Sequence, residues 1–312
     1  MQNNQKIIGV FGAGGFIGKH LMRQLTKLDY RIKVATRNPY LKGYLKPLGN
    51  PGQIELFKVN IFNSNDIRNF LQNCDFVINL VGILFEKRKQ KFSFVHSHFP
   101  EMLAKFCNEL NIKRLVHVSA LGVNEEHESK YMQSKINGEK NIISNFNSSV
   151  ILRPSVIFGP EDKFFNTFAT LAQFSPVLPL IGGGKTNFEP IYVGDVAKAI
   201  VKSIELNNTK TEIFELGGKK YSFEELMKIL LKEIKKKRFL ISIPFSVAKF
   251  QSYFLQIMPS PLLTPDQVEM LKYDNIVTGK YPTLKNLGIS PTTIESILPK
   301  YIYRFRTGGQ FG

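Results

Sequence analysis

Short apolar runs alternate with amphipathic segments through the first half of the chain. The apolar runs are bounded by turn residues and predict buried strands at 6–11, 31–36, 54–59, 75–81, 113–119 and 149–157. Apolar residues spaced three and four positions apart predict helices over 16–28, 64–73, 97–111, 129–145 and 194–206. Strands that alternate with helices in this way indicate an α/β fold, in which helices cover both faces of a doubly wound parallel sheet.

A glycine-rich turn joins the first predicted strand to the first predicted helix. Its glycines recur at three-residue spacing, at Gly12, Gly15 and Gly18, in the strand–turn–helix context of a dinucleotide-binding Rossmann fold. The start of such a helix presents unpaired N–H groups and the positive end of the helix dipole to a pyrophosphate. The residues that we therefore predict to bind a dinucleotide are Gly12, Gly14, Gly15, Phe16, Ile17 and Gly18.

The alternation of strands and helices ends after Pro154. Glycine and proline then cluster at 159–160, 176–190 and 259–265, which is typical of loops and short elements. We predict a dinucleotide-binding domain over 1–160 and 186–206, and a smaller C-terminal lobe over 161–185 and 207–312. This lobe is expected to lie above the carboxyl edge of the sheet, where folds of this class bind their ligands.

The charge balance narrows the choice of partners. The 312 residues include 42 Lys and Arg against 25 Asp and Glu, which gives a formal net charge of +17. Such a balance favours anionic partners, such as nucleotide phosphates, acidic lipid headgroups or an acidic protein. Nucleic acid is disfavoured as a partner, because the basic residues are mostly scattered and no nucleic-acid-binding module is recognisable.

Cysteine and histidine are too few to suggest a disulfide framework or a metal site. The two cysteines, Cys74 and Cys107, suit a reducing compartment. His96 and His98 have no evident third ligand, so they are expected to lie at the surface or at a helix start. The fold begins by residue 6, which leaves no room for a signal peptide, and no run is apolar enough to span a membrane. We therefore expect a bacterial cytoplasmic protein or an already processed chain, with peripheral contact to the inner membrane as an alternative.

The end of the second predicted strand bears on the choice of nucleotide. NAD-selective sites carry an acidic residue there that accepts the ribose 2′-OH, whereas arginine suits a 2′-phosphate. This chain has Arg37 and no acid, which favours NADP(H), although NAD(H) remains open. From its position in the fold, Asn60 is expected to contact the adenine edge. Val81, Gly82 and Pro154 are expected to line the cofactor, and Gly82 allows the backbone to pass close to it.

A tyrosine and a lysine follow the fifth predicted strand, which ends at Ser119. Tyr131 and Lys135 are four positions apart, so they share one face of a helix. Lys135 would then hold the nicotinamide ribose and lower the pKa of Tyr131, which would exchange a proton while a hydride moves. The spacing alone carries little weight, because Tyr281 and Lys285 repeat it; the place of Tyr131 in the fold is what favours this interpretation.

Several stretches, together with the glycine turn, resemble the extended and atypical short-chain dehydrogenase/reductases. The resemblance covers Ile7 to about Ile204. More narrowly, the runs at 117–121, 131–140, 153–162, 164–166 and 189–197 are similar to the group that contains the NADP(H)-binding accessory subunit of respiratory complex I. That resemblance implies a tightly bound NADP(H) with a structural or assembly role and no established turnover.

One departure from the pattern bears on catalysis. Active extended members carry Ser or Thr two residues beyond the position of Ser119, where this chain has Leu121. Ser119 would replace that hydroxyl only if the strand end were shifted. We therefore expect a nucleotide-stabilised accessory or assembly factor linked to respiratory NADH:quinone oxidoreductase. The alternatives are a soluble NADP-dependent reductase or nucleotide-sugar epimerase/dehydratase that uses Tyr131 and Lys135, and a sensor whose nucleotide occupancy alters partner binding.

A basic run precedes an apolar, proline-broken segment in the C-terminal third. The cations at 235–238 lead into Phe239–Leu263. One interpretation makes 232–263 a docking surface for an acidic membrane or a partner, in which Phe245, Phe250 and Phe254 supply contact area. The other makes the apolar segment a helix of the small-lobe core.

Overall fold

The computed structural model describes residues 5–122, 128–207, 209–258 and 261–309. Its strands are β1 (Ile7–Phe11), β2 (Arg31–Thr36), β3 (Ile54–Lys58), β4 (Phe76–Asn79), β5 (Arg114–Val118), β6 (Ser149–Pro154), β7 (Ile157–Phe158), β8 (Val177–Ile181), β9 (Asn187–Phe188), β10 (Ile191–Tyr192), β11 (Glu212–Leu216), β12 (Tyr221–Ser222) and β13 (Phe239–Ile243). Seven of them form one parallel sheet in the order β11-β6-β5-β4-β1-β2-β3. The predicted doubly wound parallel sheet is therefore confirmed.

Helices cover both faces of this sheet. The α-helices are α1 (Phe16–Leu25), α2 (Ser64–Leu71), α3 (Phe99–Glu109), α4 (Lys130–Asn145), α5 (Phe164–Phe174), α6 (Val193–Glu205), α7 (Phe223–Glu233), α8 (Phe245–Leu255), α9 (Pro265–Met270), α10 (Ile294–Ile297) and α11 (Pro299–Ile302). Successive side chains of β1 point to opposite faces, so Val10 packs in the core beneath α1 and α6. Phe11 packs in the second core, beneath α2 and α3.

Shorter helical segments complete the connections. A π-helix spans Ser93–His98 directly before α3, and 3-10 helices span Tyr40–Leu48, Gly182–Gly184, Leu284–Leu287 and Tyr303–Phe305. Polar side chains fix several helix starts. Asn63 accepts hydrogen bonds from backbone N–H groups in the first turn of α2, and Ser129 does the same for α4. These caps agree with the predicted starts of helices at 64 and 129.

The six strands predicted in the first half of the chain lie within three residues of their observed bounds. The prediction over 149–157 joined two strands: β6 ends at Pro154, and β7 pairs with β10 outside the main sheet. The seventh strand of the sheet, β11, was not predicted. It pairs with β6, although our assignment placed 207–312 in the smaller lobe. The chain returns to the sheet edge because α6 crosses back over the first lobe and packs on α1.

The smaller lobe surrounds a separate apolar core. Phe165 of α5, Leu226 and Leu230 of α7 and Leu298 beside α11 are buried in it. Asp162 fixes the start of α5, because its Oδ1 accepts hydrogen bonds from the N–H groups of Phe165 and Asn166 at 2.7 and 3.3 Å. The smaller lobe therefore has an apolar core of its own, separate from the cores on the two faces of the sheet.

Two carboxylates near the lobe junction connect distant segments. Asp195 in α6 is fully buried, and its Oδ2 accepts a hydrogen bond from the Thr292 N–H at 2.7 Å. Glu161 pairs with Lys19 of α1 at 2.5 Å, which links the smaller lobe to the helix that follows the glycine turn.

The segment over 239–263 is largely exposed. The strand β13 pairs with β8 and leads into α8, but Phe250 and Phe254 of α8 face solvent rather than the lobe interior. The core interpretation of this segment is therefore wrong for these two aromatic side chains. Phe245, in contrast, packs partly against a small cluster around Val268.

Within the described ranges, none of the helices is both long and apolar enough to cross a bilayer.

Candidate functional site

The glycine turn at the carboxyl end of β1 needs glycine at two positions. Gly12 has a φ of +85°, which favours a residue without a side chain. At Gly18, an added Cβ would collide with the carbonyl oxygens of Gly12 and Ala13. Glycine therefore lets α1 begin directly on the end of its strand.

Gly15 has a different role in the same turn. Its N–H donates to the Gly12 carbonyl at 3.0 Å, and an added Cβ would meet only that oxygen, at 3.2 Å. Gly15 is the N-cap of α1 and offers no side chain to its first-turn N–H groups. These groups and the open space above Gly15 form a cradle that fits a pyrophosphate. The turn thus has the shape that the sequence predicts, and its cofactor role stays a prediction.

Two side chains of the 3-10 helix Tyr40–Leu48 lie over the turn. A Cβ on Gly14 would lie 2.7 Å from Cε and 3.0 Å from Nζ of Lys42. Tyr44 donates its hydroxyl to the Gly14 carbonyl at 3.4 Å, and Lys42 Nζ donates to that hydroxyl at 3.5 Å. Sequence reasoning missed this pair, because nothing in its spacing indicates that the 3-10 helix folds back onto the turn.

The residues assigned to the adenosine half are exposed at the ends of β2 and β3. Arg37 follows β2 and forms no ion pair with any residue that the structure describes. Asn60 follows β3, and its Oδ1 accepts a hydrogen bond from the Phe62 N–H at 3.1 Å. The Asn60 Nδ2 group remains available as a donor. Both side chains are therefore exposed at the ends of neighbouring strands, and their contacts with a nucleotide stay predictions.

Gly82 lies beside the polar groups of the predicted catalytic helix. A Cβ on Gly82 would lie 3.6 Å from Lys135 Nζ and 3.7 Å from His96 Nε2. The N–H of Val81 donates to Asn79 Oδ1 at 3.0 Å, which fixes the path of the chain after β4. The structure thus brings Val81, Gly82 and Lys135 together.

Tyr131 and Lys135 lie on one face of α4, close to the end of β5. Lys135 Nζ lies 6.0 Å from the centroid of the Tyr131 ring and donates to the Val118 carbonyl at 3.2 Å. Burial lowers the pKa of Lys135 to about 8, and the Glu139 carboxylate partly opposes this shift. Burial and the Asp266 charge raise the pKa of Tyr131 to about 12, so its phenol stays protonated at neutral pH, and the expectation that Lys135 lowers this pKa is wrong. A protonated phenol beside an ammonium group would donate a proton to a reacting oxygen.

The strand end at Ser119 is not shifted. The Ser119 N–H donates to the Leu152 carbonyl at 2.7 Å, and the Leu121 N–H donates to the Pro154 carbonyl at 2.8 Å. The pairing of β5 with β6 thus continues in register through Leu121, whose side chain is fully buried. Pro154 accepts the Leu121 hydrogen bond at the end of β6, and its predicted contact with the cofactor stays a prediction. Ser119 Oγ is buried without a hydrogen-bond partner in the described part of the chain.

A buried histidine supports α4 from the π-helix. His96 Nε2 accepts a hydrogen bond from the Ile83 N–H at 3.0 Å, so Nδ1 carries the proton and donates to Ser134 Oγ at 2.9 Å. Burial, Lys135 and His117 lower the pKa of His96 to about 2, which keeps the ring neutral. The expectation of a surface position is therefore wrong for His96. His98 is exposed and pairs with Glu101, as a residue near a helix start.

A second buried histidine lies at the carboxyl end of β5. Asn79 Nδ2 donates to His117 Nδ1 at 3.0 Å, so Nε2 carries the proton, and this atom has no partner within the described ranges. Burial and the Lys135 charge hold the pKa of His117 well below its usual value. Sequence reasoning did not assign these two residues, although polar residues at the ends of neighbouring parallel strands are a usable signal.

An internal ion pair holds α4 against β6. Arg153 donates from Nη2 to Glu139 Oε2 at 2.5 Å and from Nε at 3.1 Å, and both side chains are largely buried. The Tyr281 ring stacks on the guanidinium at 4.7 Å, so the second Tyr-x-x-x-Lys motif serves packing. Removing one partner of such a pair would leave an uncompensated buried charge.

In the described residues, no cluster of metal-ligating side chains occurs.

Comparisons with known proteins agree with this architecture. The model of the family described as "NAD dependent epimerase/dehydratase family" matches residues 8–217. The chain is 31% identical over 302 residues to NADH dehydrogenase (ubiquinone) 1 alpha subcomplex subunit 9, mitochondrial, of Mus musculus, covering 96% of this chain and 80% of that protein. It is 30% identical over 313 residues to the protein of that name in Arabidopsis thaliana, covering 96% and 78%.

A solved structure extends the comparison to the smaller lobe. The UDP-glucuronic acid 4-epimerase of Bacillus cereus, in complex with UDP-glucuronic acid and NAD, superposes with a TM-score of 0.71 at 20% identity. The match covers 96% of this chain and 98% of the epimerase chain, and it shows a shared fold. The chain therefore belongs to the NAD dependent epimerase/dehydratase family.

Proposed function

We propose that this protein binds NADP(H) as a stabilising cofactor and acts as an accessory or assembly factor of respiratory NADH:quinone oxidoreductase. The similarity to alpha subcomplex subunit 9 over 96% of the chain carries the proposal. Relatives that align over nearly the whole chain share both lobes, and the smaller lobe is where a partner-specific surface would lie. The proposal joins two parts, a nucleotide that stays bound and a partner complex.

Charge at the glycine turn supports the choice of NADP(H). Arg37 is exposed at the end of β2, and Lys42 lies over Gly14. A guanidinium and an ammonium group on two sides of the adenosine ribose would bind a 2′-phosphate with charge-assisted hydrogen bonds. A hydroxyl in that place would gain much less from these two cations. The same site would accept NAD(H) more weakly.

The surroundings of the predicted catalytic residues support a cofactor that does not turn over. Leu121 is buried at the position where the pattern of extended short-chain dehydrogenase/reductases has Ser or Thr, and the strand pairing beside Ser119 stays in register. A substrate carbonyl would therefore lack one of its two hydrogen-bond donors, and Tyr131 alone would remain. Lys135, whose Nζ lies beside Gly82 after β4, would still hold the nicotinamide ribose.

Nucleotide affinity is expected to fall as the pH rises through the pKa of Lys135, which is about 8. The charged amine binds ribose hydroxyls more strongly than the neutral amine, so binding favours the protonated form. From about pH 7 to about pH 9, we expect a loss of up to roughly tenfold. Isothermal titration with NADPH measures it. The Lys135→Met variant should lose the pH dependence, whereas Lys140→Met on the same helix should keep it; a pH dependence that survives in Lys135→Met contradicts the assignment.

The partnership is tested in native membranes. A tagged copy of the protein, expressed in its host, is solubilised in mild detergent and separated by native electrophoresis. We expect it to comigrate with NADH:quinone oxidoreductase activity, and we expect its deletion to reduce the amount of that assembled complex. Migration only as a free chain, with unchanged assembly after deletion, would contradict the proposed function.

The preserved Tyr131–Lys135 pair favours one second candidate, a reductase or nucleotide-sugar epimerase/dehydratase. We expect NADPH oxidation to stay at background across a panel of carbonyl compounds and nucleotide sugars, because Leu121 offers no donor. Turnover that Tyr131→Phe abolishes and Tyr281→Phe preserves would establish the second candidate instead. Tyr281→Phe is the matched control, since it removes the hydroxyl of the chain's other Tyr-x-x-x-Lys motif.

A further inference from the structure

We propose that one face of α8, with the cations before it, binds the surface of an anionic lipid bilayer. This proposal adds a second partner to the one named under the proposed function. The observations that support it lie in the smaller lobe, away from the glycine turn. We call the exposed apolar side chains of Val247, Phe250, Tyr253, Phe254 and Ile257 the α8 face.

The α8 face turns apolar side chains to solvent. Phe250 is 65% exposed, Phe254 is 62% exposed, and their rings contact edge to face at 5.3 Å. Ile257, one turn further along the chain, is 79% exposed. The side of α8 that packs against the lobe holds the small residues Ala248 and Ser252. The helix thus buries its small residues and exposes most of its large apolar ones, the reverse of a core helix.

The positions of these side chains form one continuous stripe. Val247, Phe250 and Phe254 are separated by three and four residues, which is the spacing of one helix face, and Ile257 follows two residues after α8 ends at Leu255. Met258 and Leu262 extend the exposed apolar surface beyond the helix. Contiguous apolar patches of this kind on a soluble domain mark a contact surface.

Charge identifies the occupant of this surface. Residues 234–265 contain five Lys and Arg and not one Asp or Glu. The carboxylates of the adjacent helix α9 are already engaged: Glu269 pairs with Lys249 at 3.4 Å and with Lys272 at 2.5 Å. Asp266 accepts hydrogen bonds from the start of α4, including the Lys130 N–H at 2.7 Å. The α8 face therefore belongs to a segment whose charged residues are all cations, four of which, at 235–238, precede it along the chain.

An anionic bilayer offers an apolar interior to the α8 face and anionic headgroups to the cations that precede it. An apolar helix face sinks to the boundary of headgroups and acyl chains, while neighbouring Lys and Arg side chains stay at the anionic headgroups. The helix α8 has 11 residues, and it is suited to lie along a membrane rather than to cross it. Each cation near such a surface strengthens binding by about fivefold. Aromatic side chains add apolar contact at the same level.

Vesicle flotation tests the proposal on the full-length protein. We expect the protein to float with phosphatidylcholine vesicles that contain phosphatidylglycerol, to float much less with phosphatidylcholine alone, and to be released by high salt. The double variant Phe250→Ser/Phe254→Ser should lose flotation. Both side chains are exposed, so circular dichroism melting should stay close to wild type. Tyr40→Ser is the matched control, because it removes an aromatic side chain that is 91% exposed on the other lobe.

Charge reversal tests the electrostatic part separately. Exchange of Lys235, Lys236 and Lys237 for Glu should weaken binding to anionic vesicles by about 100-fold or more, since three attractions become repulsions. The matched control changes the exposed run Lys87, Arg88 and Lys89 to Glu, which alters the net charge equally on the dinucleotide-binding lobe.

The outcomes separate the lipid proposal from its alternatives. The lipid proposal is overturned if the wild type floats equally with both vesicle types, or if the Phe250→Ser/Phe254→Ser variant floats like the wild type. A second outcome would also overturn the lipid proposal: the wild type does not float, and the Phe250→Ser/Phe254→Ser variant loses comigration with NADH:quinone oxidoreductase. The α8 face would then be a protein-docking surface. Flotation that depends on the α8 face, in a protein that never comigrates with that complex, would support the lipid proposal and contradict the proposed function alone.

Discussion

Replacement of Gly15 by valine is expected to abolish stabilisation by NADPH while leaving the free protein nearly as stable as before. Gly15 has φ −85° and ψ −177°, an extended conformation that valine adopts readily. Its added methyl groups would fill the cradle where the pyrophosphate is predicted to lie. A ligand at 100 times its Kd stabilises by about 2.7 kcal/mol, or roughly 5 °C in Tm for a chain of this size. Thermal melting with and without saturating NADPH measures the difference.

Gly18→Ala provides the contrasting variant. A Cβ at Gly18 would collide with two carbonyl oxygens of the turn, so the free protein itself should melt at lower temperature. The pair of variants thus separates ligand binding from the packing of α1 on its strand. If saturating NADPH leaves the melting of the wild type unchanged, the structural role of the nucleotide is refuted.

Exchange of Arg37 for aspartate is expected to reverse the preference between nucleotides. The guanidinium would lose charge-assisted hydrogen bonds to the 2′-phosphate, worth about 1.5–3 kcal/mol, and the new carboxylate would repel that phosphate. NADPH affinity should fall by at least roughly 10- to 150-fold, because each 1.4 kcal/mol is a factor of ten. NADH affinity should hold or improve, since a carboxylate there accepts the ribose 2′-OH.

Calorimetric titration of both nucleotides checks this expectation. Arg31→Asp is the matched control: Arg31 is exposed at the opposite end of the same strand, β2, and its exchange changes the net charge equally. Its NADPH affinity should stay near the wild-type value. Equal affinities of the wild type for NADPH and NADH would contradict the role of Arg37.

The glycine turn and the sheet around it were predictable because local signals there agree. An apolar run, glycines at three-residue spacing and an amphipathic helix all specify the same strand–turn–helix unit. The Tyr131–Lys135 pair was placed on one face of α4 for the same reason, since helical spacing is local information. The missing hydroxyl at Leu121 was also readable, and the in-register pairing at Ser119 confirms that the strand is not shifted.

Features that depend on contacts between distant segments were not predicted from the sequence. The strand β11 includes two glutamates among five residues, so it lacks the continuous apolar run of a buried parallel strand. Glu215 is buried there because its carboxylate accepts hydrogen bonds from Thr278, 63 residues further along the chain. The burial of His96 likewise depends on α4 packing over the π-helix, which no local spacing reports.

The exposed α8 face shows a different limit. Apolar residues at helical spacing predict one apolar side of a helix, but they do not say whether that side faces a core or the solvent. In α8 the small residues Ala248 and Ser252 occupy the packed side. The cations that precede α8 are what suggested a docking surface from the sequence, and that interpretation stays a prediction.

Identification of the nucleotide that copurifies with the native protein tests the central claim most directly. The protein is purified without added cofactor and denatured, and the released nucleotide is quantified by mass spectrometry together with its oxidation state. A structural NADP(H) site predicts NADP(H) in near-stoichiometric amount, which exchanges slowly with added NADPH. Release of NAD(H) instead, or of no dinucleotide from protein that is folded and equally stable without one, would contradict the account.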